Sequence, residues 1–232
     1  MAASCVLKKS DEGDAMNRIT VSAFQNVPPF AQGLVRDLRV RWALEEAGMP
    51  YEARLIGPQD QKSSEYRRLQ PFGQVPAYEE DGLALFESGA IVLHIAGRSD
   101  ALMPPDPGAR ARVTTWVFAA LNSLEPHIQN LAEVDLFYPG DDWAKQRRPA
   151  LAERVKGRLD DLAMWLGGRD YLEDRFTAGD LMMTTVLRIL RHTDLVKEVP
   201  ALEAYRLRCE ARPAFRKALA DQMRPFAAGA VS

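Results

Sequence analysis

The chain has 232 residues, 47% of them hydrophobic and 27% charged, with a formal net charge of −2. That length supports a substantial core, and the charge balance points away from nucleic acid or an anionic membrane surface as a partner. No apolar run reaches the roughly 18 residues that a membrane-spanning helix needs, and two cysteines, Cys5 and Cys209, make no disulfide framework, so a reducing cytoplasm is the expected setting.

Residues 1–18 are polar and lack an apolar signal-peptide core, so they read as a loose tail, with Met16 as an alternative start. Ile19–Phe24 (ITVSAF) reads as a strand. Pro28-Pro29 forbids helix in the loop that follows. From Leu34, the run LVRDLRVRWALEEAG has Leu34, Leu38 and Trp42 at four-residue spacing, and Gly48 closes it, which predicts an amphipathic helix. Tyr51–Ile56 is a second strand, and a strand–helix–strand unit of this length implies a parallel pair. Gly57–Leu69 is polar, with a short irregular helix at SSEYRRL.

The stretch QVPAYEEDGLALFESGAIVLHIA, Gln74–Ala96, reads as strand, turn, strand, helix. Asp81-Gly82 is a two-residue hairpin signal, because both central residues of such a turn need positive φ. Pro76 stands where a strand begins, so it either spares a ladder donor or holds a cis bond. Glu87-Ser88 opens a helix, where free N–H groups favour a carboxylate. Each residue also has a plain structural reading: Pro76 shaping the strand, Glu87 as a surface charge, Ser88 as a helix cap.

Asp100–Gly108 (DALMPPDPG) is a linker signal, and strand signals stop after it. Residues 109–232 read as all-helical. The first helix runs from Ala109 with a kink or end at Pro126, and the second, Trp143–Leu166, is interrupted near Pro149. Thr177 and Asp180 have the spacing of a capping box, with Phe176 and Leu181 at its staple positions. Final helices span Pro200–Cys209 and Pro213–Met223. His94, His127 and His192 have no metal-ligand spacing, so no metal is assigned.

The motifs LRVRWALEEAGMPYE, QVPAYEEDGLALFES and FTAGDLMM, in that order, resemble the cytosolic-type glutathione S-transferase family over Ile19–Phe226, and VPPFAQGLVRDLRVRWALEEAG and ALNSLEP look like a bacterial subgroup of it. The resemblance implies an α/β plus all-α chain. Residues 19–99 would form a thioredoxin-like βαβαββα domain that binds glutathione, 100–108 a linker, and 109–232 an all-helical domain for the acceptor substrate. It implies that Gln74, the main chain of Val75, a cis Pro76, Glu87 and Ser88 hold glutathione. Glu87 suits the γ-glutamyl ammonium, and Ser88 suits the carboxylate beside it. Lys62, Arg67 and Arg68 are alternatives for the glycine carboxylate.

The family uses a Tyr, Ser or Cys near the end of the first strand to stabilise the glutathione thiolate. Between Phe24 and Arg41 this chain has none, and Phe30 stands at the tyrosine position. Asn26 and Arg36 are the catalytic candidates, with Gln32 and loop N–H groups behind them. Arg36, Arg39 and Arg41 also fit a solvated helix face, Asn26 fits a loop turn, and Ser22 fits a structural residue inside its strand. Trp116, Phe118 and Asn122 are candidates for the acceptor pocket, although each also suits core packing. The resemblance thus implies a homodimeric, cytoplasmic transferase joining glutathione to an electrophilic, apolar small molecule in detoxification. Alternatives are isomerase, peroxidase or dehalogenase chemistry on the same thiolate, or a non-catalytic binding or regulatory protein.

Overall fold

A computed structural model describes residues 18–228. The tail up to Asn17, with Cys5 and Met16, lies outside the described residues. The first half comprises β1 (Ile19–Phe24), α1 (Asp37–Ala47), β2 (Tyr51–Ile56), α2 (Pro58–Lys62), α3 (Ser64–Leu69), β3 (Ala77–Glu80), β4 (Leu83–Phe86) and α4 (Ser88–Ala96). Its four-stranded sheet has the order β2-β1-β3-β4. β1 and β2 are parallel, in register from Ile19↔Tyr51 to Phe24↔Ile56, and the other two pairings are antiparallel. This is the thioredoxin-like arrangement. The hairpin turn has Asp81 at φ 47° and Gly82 at φ 82°, the conformation its Asp-Gly sequence demands.

The second half is helical: α5 (Pro107–Phe118), a π-helical turn (Ala119–Leu124), α6 (Glu125–Leu136), α7 (Asp142–Leu166), α8 (Ala178–Leu187), α9 (Pro200–Glu210) and α10 (Pro213–Ala228). Pro126 is where the kink was expected. A proline cannot donate to the preceding turn, and the chain absorbs this by widening into the π-helical turn just before it rather than by ending the helix. Pro149 does not interrupt α7. The neighbouring residues 145–150 are solvent-exposed, so water can take the carbonyl that the proline leaves unpaired. The capping box of α8 forms: Gly179 N–H donates to Thr177 Oγ1 at 3.2 Å, and Thr177 N–H to Asp180 Oδ2 at 2.9 Å. Asp180 also accepts from Leu172 N–H and from the Tyr205 hydroxyl.

One helix departs from its sequence reading in a way that matters for the site. α1 begins at Asp37 rather than Leu34. Gly33 sits at φ 76°, and Arg191 donates to the carbonyls of Phe30 at 2.8 Å and Gln32 at 2.6 Å, which holds the preceding segment as turns. α1 is also not amphipathic in its surroundings. Every residue from Asp37 to Leu44 is buried, because β1, α4, α8 and α10 all pack against it. Arg39 and Arg41 are therefore internal charges, not a solvated face. Arg41 pairs with Asp37 one turn away at 2.7 Å, and Gln222 of α10 donates to Asp37 at 2.6 Å. Burial still leaves the Asp37 carboxyl raised above its ordinary value. The core runs continuously from Ile19 and Trp42 through Ile91 to Leu181 and Leu202.

Candidate functional site

A cleft of about 600 Å³ opens between α1, the β3–α4 region and the α5–α6 helix. Gln74, Val75, Pro76, Glu87 and Ser88 all line it, together with Arg36, Phe118 and Asn122. The Val75–Pro76 peptide is cis. A relay of hydrogen bonds fixes the main chain on both sides of it. Ala77 N–H donates to Ser22 Oγ at 2.7 Å, Ser22 Oγ and Tyr66 Oη are 2.7 Å apart, and Tyr66 donates to the Gln74 carbonyl at 2.6 Å. The single Tyr66 proton is used on Gln74, so Ser22 donates to Tyr66. Ser22 is thus a structural member of the site's frame, in keeping with its place inside β1. Burial raises the Tyr66 phenol above its ordinary value, which keeps it protonated as the donor.

Glu87 has φ 68°, in the left-handed region, and its side chain is exposed at the mouth of the cleft. A non-glycine residue there costs about 1–2 kcal/mol, so the corner is held by its surroundings. Ser88 is the first residue of α4 and is not its cap. Its hydroxyl accepts from Arg39 Nη1 at 3.2 Å. The two halves approach closely at Gly89, where a Cβ would lie 2.5 Å from Leu121 Cδ1 and push that methyl aside.

Sequence reasoning missed the centre of the second wall. Glu125, 5% exposed at the start of α6, accepts from Arg36 Nε at 3.1 Å and Nη2 at 2.8 Å on one oxygen. Arg39 Nη2 donates to its other oxygen at 3.0 Å. Burial works to raise the Glu125 carboxyl, but Arg39 and then Arg36 overcome it and hold it below the usual carboxylate range. Burial pushes the Arg39 guanidinium down from its ordinary value. Gln70, Leu93, Leu121 and Gln129 also line the cleft. Of this wall the sequence offers Arg36 as a catalytic candidate, and Glu125 only within the ALNSLEP phrase, which also contains Asn122.

Other expected residues lie elsewhere. Asn26 lines a separate hollow with Val27, Pro28, Gln32 and Phe226. Trp116 points away from the cleft. Its indole N–H donates to Glu173 at 3.1 Å, its ring packs on Trp165 at 5.1 Å, and a Cβ on Gly179 of α8 would lie 2.7 Å from its own Cβ. Arg67 is spent on the carbonyls of Gln61 and Pro71, and neither Lys62 nor Arg68 lines the cleft. His94 is partly exposed, 3.4 Å from Glu80. Burial pushes the Cys209 thiol up to about 12, which leaves it inert.

A thioredoxin-like sheet joined to a helical half, with a cleft at the cis-proline corner, defines a class of two-part transferase fold. The family model described as "Glutathione S-transferase, N-terminal domain" matches residues 32–97. A glutathione S-transferase of Hyoscyamus muticus is 30% identical over 78% of this chain and 92% of its own. Among solved structures, glutathione transferase F7 from Populus trichocarpa superposes with a TM-score of 0.75 at 25% identity, over 89% of this chain and 99% of its own. A glutathione transferase from Burkholderia graminis, with two glutathione molecules bound per subunit, gives 0.76 at 26% identity over 87% of each chain. The chain belongs to the glutathione S-transferase family and is an enzyme of that transferase class. No helix among the described residues is long and apolar enough to cross a membrane.

Proposed function

We propose that glutathione lies along the first wall of the cleft, with its cysteinyl part against the main chain of Val75 and its γ-glutamyl head at Glu87-Ser88. The observation that carries this reading is the convergence of Gln74, Val75, Pro76, Glu87 and Ser88 on one cavity with two arginines behind them. Val75 precedes β3 beside a cis peptide bond, outside the β3 ladder, where an extended peptide can pair with its main chain as an added strand would. Glu87 suits an ammonium, and the Ser88 N–H and O–H suit a carboxylate.

Thiolate stabilisation falls to Arg36. It lines the cleft, whereas Asn26 lines the neighbouring hollow. Arg36, Arg39 and Glu125 together carry one excess positive charge. Lowering a free thiol's pKa from about 8.5 by roughly two units needs about 2.7 kcal/mol of preference for the anion, a size that a nearby guanidinium in a partly desolvated site supplies. The bound thiolate then attacks an electrophilic acceptor held against Phe118, Leu121, Asn122 and Gln129. With two amide side chains, that wall fits an acceptor with an apolar body and a polar group better than a purely apolar one. The cleft volume of about 600 Å³ leaves room for an acceptor beside the peptide.

The same reading gives residues 19–99 to glutathione and 109–232 to the acceptor, in a cytoplasmic setting. It also makes the working unit a homodimer. Phe72, Leu83 and Phe86 are exposed at the free edge of the sheet, with the two phenylalanine rings 6.1 Å apart.

Calorimetric titration with glutathione and a transferase assay with a chlorinated aromatic acceptor test the proposal together. Saturable binding is expected in the unmodified chain. Arg36→Ala should lower kcat/KM by about tenfold or more, with Asn26→Ala near the unmodified rate. No binding at millimolar glutathione overturns the reading. A loss confined to Asn26→Ala overturns the choice of Arg36.

A further inference from the structure

Arg41 stands two residues beyond Arg39 and so on the far side of α1. It lines a groove of about 720 Å³ that shares no lining residue with the cleft. The groove is bounded by the last turns of α1 and the turn that follows, by β2, and by α10. Tyr51, Ala53 and Leu55 alternate along β2 and so present one face, and β2 is an edge strand of the sheet. Lys217, Asp221 and Arg224 recur at four- and three-residue spacing on α10 and share a face of that helix. A cavity of this size suits a small organic molecule.

The unused hydrogen-bonding groups define what the groove takes. The Arg41 side chain is 3% exposed, and its Nε donates to Asp37 Oδ2 at 2.7 Å. A guanidinium has five N–H groups. The four on Nη1 and Nη2 have no hydrogen-bond partner among the described residues. The Tyr51 hydroxyl is buried and also has none, and the Arg41 guanidinium carbon lies 5.9 Å from its ring centroid. Burial raises the Tyr51 phenol above its ordinary value, so it remains a donor near neutral pH. An ion pair with Asp37 uses Nε alone. It leaves donors gathered in one place, where buried polar groups nearly always find partners. The acceptors of the groove are already engaged: Glu45 accepts from Lys217, and Asp221 from Lys217 at 3.1 Å and from Arg224. A carboxylate meets a guanidinium edge and a hydroxyl together. The remaining lining is apolar, chiefly Met49, Leu55 and Pro225. Leu55 is 44% exposed, so an apolar body lying on it removes apolar surface from water.

We propose that this groove is a second ligand site, separate from the cleft, that takes a monocarboxylic acid with an apolar body. The carboxylate lies on Arg41 Nη and Tyr51 Oη, and the body runs along Met49, Leu55 and Pro225. The site stands whether or not glutathione occupies the cleft as described above, because the two share no residue.

Calorimetry on the full chain with 2-naphthoate as the probe tests this. Saturable binding is expected, and naphthalene-2-carboxamide, the same body without the charge, should bind about tenfold more weakly or worse. Tyr51→Phe, which removes only the hydroxyl, should weaken naphthoate by about tenfold. Leu55→Glu, at an exposed position, sets a carboxylate against the ligand and should weaken it at least as much, with a melting temperature near that of the unmodified chain. Neither residue lines the cleft, so transferase rates in both variants should stay at the unmodified level. In spectra of methyl-labelled methionine, the Met49 signal, assigned through Met49→Leu, should move as naphthoate is added. No binding at millimolar naphthoate overturns the proposal. Equal affinity for the carboxamide, full affinity in either variant, or an unmoved Met49 signal does the same. Each of these outcomes leaves the glutathione reading untouched.

Discussion

The two walls of the cleft are built from different materials. The Gln74–Pro76 and Glu87–Ser88 wall is chiefly main chain, shaped by a cis peptide bond, a hairpin and one left-handed residue, all within fifteen positions of sequence. The Arg36–Arg39–Glu125 wall is side chain, assembled from α1, the residue just before it and α6, with partners up to 89 residues apart. The first wall presents hydrogen-bonding groups whose positions follow from local geometry. The second presents charge, and its position depends on how the two halves of the chain dock. A substitution in the first wall should therefore act chiefly on ligand affinity, and one at the buried Arg39–Glu125 pair of the second on the folded state as a whole.

The largest test of that contrast is Glu125→Ala. It leaves Arg39 buried without its carboxylate, and the unfolding free energy measured in urea should fall by about 3–5 kcal/mol. Its pH dependence follows from the depressed Glu125 carboxyl. An unfolded glutamate titrates near 4.3. The contribution of Glu125 is therefore complete above about that pH and is lost as the pH falls through the lower folded value. In thermal melts, the gap between the unmodified chain and Glu125→Gln should be widest near neutrality and close in acid. A gap that does not change with pH would place the interaction outside the ion pairs. The raised Asp37 carboxyl titrates with the opposite sign in both proteins, so it cancels from the difference.

Tyr66→Phe is next in size. It removes the donor to the Gln74 carbonyl and leaves Ser22 without its acceptor, at a cost of about 1–3 kcal/mol. Titration should show weaker glutathione binding as well, since the first wall is framed by this relay. Unchanged affinity with lowered stability would show that the wall keeps its shape without it. The smallest effect belongs to Thr177→Ala. Losing the α8 cap should cost about 1 kcal/mol in urea with glutathione affinity unchanged, because the cap touches neither wall.

The same contrast explains what could be read from sequence. Asp81-Gly82, Pro76 and Ser88 carry their conformations locally, so the sheet order and the first wall followed from short windows. Arg39 gave no such sign. Arg36, Arg39 and Arg41 look like a solvated stripe in any local window, and only the packing of α4, α8 and α10 around α1 makes two of them internal. The partners of Arg39 stand 86 and 146 residues away in sequence. Asn26 is close to the end of β1 in sequence, but it lines another hollow, with Pro28, Gln32 and Phe226. Trp116 and Phe118 were grouped together, yet residues two apart do not share a helix face. Phe118 and Asn122, four apart, both meet the cleft.

Counted as chain length, the turn at Ala119–Leu124 is a spare residue carried inside a helix that otherwise runs from Pro107 to Leu136. Removing one residue there would turn the wide turn into ordinary helix and leave Phe118 and Glu125 close to their present faces, because six residues at the wider pitch turn through about as much as five at 100° each. Removing one residue from the regular turns between Glu125 and Gln129 has no such slack, and would swing Gln129 away from Phe118 by about 100°. The turn is thus a place where the long helix can lose a residue and keep its wall of the cleft.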